Sequence, residues 1–172
     1  MKLSEADKNE FIRHIRELLE NEKILEMNQY IQHGNTTTFS HCFVVAYYSY
    51  MATLRIPFKF DTRSVIRGAM LHDYYLYDWH IPDKSHKLHG FKHPGFALVN
   101  ARKDYNLSPI EEDIIEKHMW PLTINKAPIY KEAMLVCLVD KFCSLTETLY
   151  IPFLPKDIRQ LRRMLNNKGF VF

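Results

Sequence analysis

A carboxylate set in the middle of an apolar helical stripe constrains this chain more than any other feature. Around Met70-Leu71-His72-Asp73, the residues Val65, Ala69, His72 and Leu76 fall at i, i+4, i+7 and i+11. Ile66, Met70, Asp73 and Tyr77 repeat the same spacing one residue on. This is the apolar face of an amphipathic helix with an imidazole and a carboxylate at its centre. A buried carboxylate is costly unless it is paired, hydrogen-bonded or bound to a metal. Whatever the chain folds into must bring a partner to Asp73.

The 172 residues are enough for one domain with a proper core, and 47% apolar and 25% charged residues are ordinary for a globular protein. A formal net charge of +3 without a basic run gives no reason to expect nucleic acid as a partner. No apolar stretch reaches membrane-spanning length, and the charged N-terminus does not read as a signal peptide. Five Gly, and no GxxxxGK[ST] or GxGxxG, leave no Gly-rich phosphate loop. Cys42, Cys137 and Cys143 lie in apolar helical patterns and read as reduced core thiols of a cytoplasmic protein.

Everything in the chain reads as helix. Ser4 followed by acids opens a helix to about residue 21, a short one covers 24–31, and Gly34 ends it. Helices are expected at about 39–54, then from an Asp61 cap over 62–77. The polar stretch 78–92, with Trp79, His80, Lys84, His86, Lys87 and His89, reads as a long loop of the kind that is often functional. His93-Pro94 then starts a helix with His93 at the cap, and Ser108-Pro109 starts the next. In the helix over 131–148, Leu135, Leu138, Phe142, Leu145 and Leu149 pack one way, while Ala133, Cys137, Asp140 and Ser144 form a face of small residues around one acid. A last helix spans 156–165, with no period-2 run that signals a strand. The expectation is a single all-α domain over 1–172, a compact bundle of about seven to eight helices with its core at about 33–150.

The inward-facing ionisable residues are His41, His72, Asp73, His93, His118 and Asp140. Four imidazoles and two carboxylates suit iron, manganese, zinc or similar divalent ions and lack the thiolates of a structural zinc knot. Six ligands exceed the needs of one metal with an open position, whereas two ions bridged by a carboxylate use them economically.

The order H…HD…H…H…D resembles the HD-domain superfamily of all-helical, metal-dependent phosphohydrolases. The gaps of 31 residues from His41 to His72, 20 from Asp73 to His93, 25 to His118 and 22 to Asp140 resemble its compact dinuclear branch. Residue by residue, the resemblance implies one metal on His41, His72, Asp73 and Asp140, and a second on Asp73, His93 and His118, with Asp73 bridging. Iron is the first expectation, with manganese, zinc, nickel or cobalt as alternatives. Asp140-Lys141 also matches a recurrent ending in the family. Tyr74-Tyr75-Leu76 after the pair departs from the family's usual HD-[IL]-[GA]-[KH], and no acid stands where mononuclear nucleotidase-type members carry one, with Asp78 the nearest substitute.

The implied reaction is hydrolysis of a phosphomonoester or phosphodiester, of a nucleotide or related small phosphorylated metabolite, by a metal-activated hydroxide, with Asp73 and Asp140 reducing the net charge of the metal pair. Lys92 or a loop histidine, His80, His86 or His89, would protonate the leaving group. His33, Arg63, Arg67, Lys84 and Lys87 are the candidates for binding substrate, and Trp79 with Tyr74, Tyr75 and Tyr77 for stacking a base or walling the pocket. Two other classes fit the same ligands: a mixed-valence di-iron oxygenase, and a non-catalytic metal- or nucleotide-binding sensor. No membrane partner is expected, and a homodimer is left open.

Overall fold

A computed structural model describes residues 2–81, 87–151 and 156–166. Among these, seven α-helices, one 3-10 helix and one small hairpin occur in the order α1 (Glu5–Leu19), the 3-10 helix (Glu22–Gln29), β1 (Ile31–His33), β2 (Thr36–Thr37), α2 (Thr38–Thr53), α3 (Thr62–Leu71), α4 (His89–Asp104), α5 (Pro109–Lys117), α6 (Lys131–Thr148) and α7 (Lys156–Asn166). The fold is mostly α, as the periodicity predicts. Helix starts follow local chemistry: Ser4 with Asp7 and Ser108 with Glu111 form reciprocal capping boxes, and Asp61 caps α3 through the Ser64 N–H. Helices α2 and α3 form the centre, with α5 and α6 packed against them. Phe43, Val45, Ile66, Met70, Ile114 and Val136, all on these four helices, are wholly buried. At Gly68, α3 meets α5 so closely that an added Cβ would lie 2.6 Å from Ile114 Cδ1.

Three departures from the expected elements bear on the site. Helix α3 stops at Leu71, not near residue 77, so His72 and Asp73 stand in the turn that leaves it. The Asn100 side chain of α4 donates to the carbonyls of both Tyr74 and Tyr75, at 3.1 Å each, replacing the lost helical bonds, and Leu76 then adopts φ 58°. Helix α4 begins at His89 rather than at His93, which places His93 inside the first turns with Pro94 beside it. Gly34 ends no helix. With φ +54° it begins the two-residue turn of the β1–β2 hairpin, between the paired His33 and Thr36.

Candidate metal centre

Five helices contribute to a buried cluster around Asp73. His41 comes from the first turn of α2, His72 and Asp73 from the end of α3, and Asp140 from the middle of α6. His93 comes from α4, and His118 is the C-cap of α5. All six are at most 5% exposed. Each Asp73 oxygen faces a different pair of imidazoles. Oδ2 lies 3.3 Å from His72 Nε2 and 3.9 Å from His41 Nε2; Oδ1 lies 3.1 Å from His93 Nε2 and 3.5 Å from His118 Nε2. Asp140 Oδ1 closes the first group, 3.0 Å from His41 Nε2 and 3.5 Å from His72 Nε2. His41, His72 and Asp73 form one set able to hold a metal ion, and Asp73, His93 and His118 form another.

The outer nitrogen of every ring is tied down. His72 Nδ1 donates to the Ala69 carbonyl (2.7 Å), His118 Nδ1 to that of Ile115 (2.9 Å), and His93 Nδ1 to that of His89 (2.9 Å). His41 Nδ1 donates to Glu147 Oε2 (2.8 Å). Because a carbonyl can only accept, Nε2 is left as the inward lone pair of His72, His93 and His118. Fixing the far nitrogen in this way is how proteins orient metal-ligating histidines. The His93 and His118 Nε2 atoms lie only 2.8 Å apart. Two lone pairs at that distance need a proton or a cation to hold them together. His72 Nε2 and Asp73 Oδ1 are buried without any hydrogen bond of good geometry. Such atoms cost free energy unless something else satisfies them, and a divalent ion is what this donor set suits.

The charges tell the same story. Burial alone would push His41 down, but its bonds to Asp140 and Glu147 carry it up to about 10. Burial likewise opposes the charge on His72, yet Asp73 and Asp140 raise it well above the imidazole range. Burial opposes the charges on Asp73 and Asp140 too, and the surrounding imidazoles hold both well below the carboxylate range. His118 goes the other way: burial, then the neighbouring His72 charge, bring it down to about 3. The carboxylates thus hold protons on nitrogens that a metal ion would otherwise occupy.

A cavity opens above the ligands, lined also by Gln32, His33, Trp79, His89, Gly90, Met119, Leu122, Lys141 and Ser144. Its accessible volume is about 380 Å³, within the range of small-molecule sites. His33 and His89, both expected near substrate, lie on this wall. Arg63 and Arg67 do not. Arg67 is buried and pairs through Nε with Glu111 Oε1 (2.6 Å), while Arg63 pairs with Glu17 (2.9 Å), and both line a separate groove. They sit on the α1 and α5 side of α3, away from its C-terminal end. Lys87 and Lys92 are exposed and outside the cavity lining. Lys84 and His86 lie outside the described residues. Trp79 lines the cavity and stacks with His80 at 3.9 Å and His89 at 5.1 Å between ring centroids. Tyr74 and Tyr75 are core residues.

Sequence reasoning passed over Gln32 and Glu147. Gln32, on β1, donates from Nε2 to Asp73 Oδ2 at 2.5 Å, and its own carbonyl accepts from the Tyr75 hydroxyl. Neither contact has a periodic signal, because β1 is three residues long. Glu147 had one: it lies seven residues after Asp140, two turns along the same face of α6. Lys141 is tethered to the His118 carbonyl (2.7 Å) and Cys137 Sγ (3.4 Å). No family model, curated protein or solved structure matches this chain.

Proposed function

We propose that this protein is a dinuclear, metal-dependent phosphohydrolase of the HD-domain kind, acting on a small phosphomonoester or phosphodiester. The observation that carries the reading is the division of Asp73: each of its oxygens faces its own pair of inward Nε2 atoms, with Oδ1 and His72 Nε2 otherwise unsatisfied. In this reading His41, His72, Asp73 and Asp140 hold one ion, and Asp73, His93 and His118 the other, with iron the first expectation and manganese next. When bound, the ions acidify water and offset the charge on a phosphoryl group.

The chain's own residues do the rest. Glu147 orients His41, and Gln32 keeps Asp73 in the plane that serves both ligand sets. Of the acid candidates, His89 lines the cavity whereas Lys92 is exposed, which favours His89 for protonating the leaving group. Its Nδ1 lies 2.9 Å from the Tyr77 hydroxyl, a contact that steadies the ring. The cavity wall of Trp79, Met119 and Leu122 suits a compact substrate with part of its surface apolar. Buried, free Cys42, Cys137 and Cys143 suit the reducing cytoplasm.

The test is metal content per chain after anaerobic purification, followed by a phosphoester screen with and without oxygen. Two ions per chain and phosphate release under strict anaerobiosis are expected. One ion per chain refutes the dinuclear centre, and turnover that requires oxygen replaces hydrolysis with oxygenase chemistry.

A further inference from the structure

Among the described residues that line the cavity above the ligands, Lys141 is the one lysine or arginine. It also breaks a rule that the other described lysines keep. Those withdrawn from solvent have a carboxylate: Lys8 pairs with Glu5, Lys23 with Asp104 and Lys117 with Asp113. Those without one, such as Lys59 and Lys103, are exposed. Lys141 is partly buried, and its Nζ contacts only the His118 carbonyl (2.7 Å) and Cys137 Sγ (3.4 Å).

An ammonium group has three hydrogens to donate. Two are spent on neutral acceptors, which fix the position of Nζ and leave its charge uncompensated. The His118 carbonyl lies at the C-terminal end of α5, where a cation is favoured. That gain is small beside the cost of drawing an unpaired charge from water. The third hydrogen has no acceptor among the described residues. Other polar groups of the cavity are committed already. Gln32 is bonded at both ends of its amide, Ser144 Oγ donates to Asp140 Oδ1 (3.2 Å), and Asp73 and Asp140 face the imidazoles. The cavity therefore presents a fixed, uncompensated positive charge, tethered to one candidate ligand and adjacent in sequence to another.

Resting on the phosphohydrolase reading above, we propose that Lys141 binds a terminal oxygen of the substrate's phosphoryl group, and that the substrate is a phosphomonoester. A monoester offers three terminal oxygens and, near neutral pH, a second negative charge; a diester offers two oxygens and a single charge. The charge of Lys141 adds to that of the ions which the ligand sets would hold, and only a monoester has the extra oxygen and charge to match it. The wall agrees. Trp79, Met119 and Leu122 form an apolar side in a cavity of about 380 Å³, which suits one organic substituent on phosphorus better than two. Lys141 keeps its proton throughout and acts as a positioned point charge.

The test titrates the manganese-loaded full chain with two ligands that resist hydrolysis: phenylphosphonate, with three terminal oxygens, and methyl(phenyl)phosphinate, with two. The parent should bind the phosphonate at least about 10-fold more tightly. Lys141→Met keeps the apolar stem and removes the charge. It should weaken phosphonate binding about 10- to 100-fold and cut the preference between the ligands to less than about threefold. If Lys141 serves only to close the end of α5, the variant loses stability while its folded, metal-loaded fraction binds the phosphonate as before. That result overturns the proposal, as does a parent that binds both ligands alike or neither. Should the variant fold poorly or lose metal, lysine acylation of the parent decides. Phenylphosphonate should protect Lys141 and leave Lys59 and Lys103 labelled as before; an unprotected Lys141 overturns the proposal. The hydrolase reading fails by a different sign: a chain that binds the phosphonate through Lys141 yet cleaves no phosphoester refutes that reading and leaves the oxyanion site.

Discussion

Helix α3 carries two buried polar clusters, one at mid-helix and one at its C-terminal end, and the two differ in whether they are complete. At mid-helix, Arg67 pairs with Glu111, which is wholly buried, and also donates to the Asn106 carbonyl and reaches Glu17. Glu111 additionally caps α5 through the Ser108 N–H. Opposite charges meet there with their hydrogen bonds made, and nothing further is called for. At the C-terminal end, His72 and Asp73 join three more imidazoles and a second carboxylate, and Nε2 of the one and Oδ1 of the other remain without hydrogen bonds. Burial and charge are alike in the two clusters. Satisfaction separates them: a closed cluster is a structural bond between helices, and an open one is a candidate binding site.

The largest effect expected is that of Asp73→Ala, which should remove metal from both ligand sets at once. Metal analysis of the purified variant reads this directly, and two ions retained per chain would refute a shared ligand. Next comes Arg67→Ala, which leaves buried Glu111 with only the longer 3.8 Å pair to Arg63 and should destabilise the fold by about 3 kcal/mol in denaturant titrations. Metal content per folded chain should be unchanged; a loss of metal in the folded fraction would join the two clusters that the comparison separates. Glu147→Gln keeps the shape but removes the carboxylate behind His41, and should weaken metal affinity about 10–100-fold in a chelator competition. An unchanged affinity would make Glu147 a surface acid with no role in orienting the ring. The smallest effect belongs to Arg63→Ala. Its side chain is 47% exposed and pairs with a partly exposed Glu17, so about 0–1 kcal/mol of stability should be lost, with turnover intact. A drop in turnover would restore Arg63 to the substrate site.

Much of this is legible in the chain itself. The six candidate ligands share the inward side of the apolar pattern in the sequence, and the caps at Ser4, Asp61 and Ser108 mark helix starts by purely local chemistry. Periodicity misled where tertiary contacts overrode it. The apolar repeat continues through Tyr77, yet α3 ends at Leu71 because Asn100, from another helix, takes over the Tyr74 and Tyr75 carbonyls. It misled again in α6, where two stripes compete and the leucine-rich one faces solvent. Arg63 and Arg67 were placed near substrate by proximity in sequence to His72, but helical rise carries them along α3 to acids on α1 and α5.

The sequence alone determined which segments become helices and which residues can be ligands, because capping and the 3.6-residue period act within a few neighbours. Tertiary structure decided which polar groups are complete and which are open. Glu111 closes the valence of Arg67 from 44 residues away, and Gln32 reaches Asp73 from 41. Such pairings depend on where other helices pass, and no local pattern encodes them.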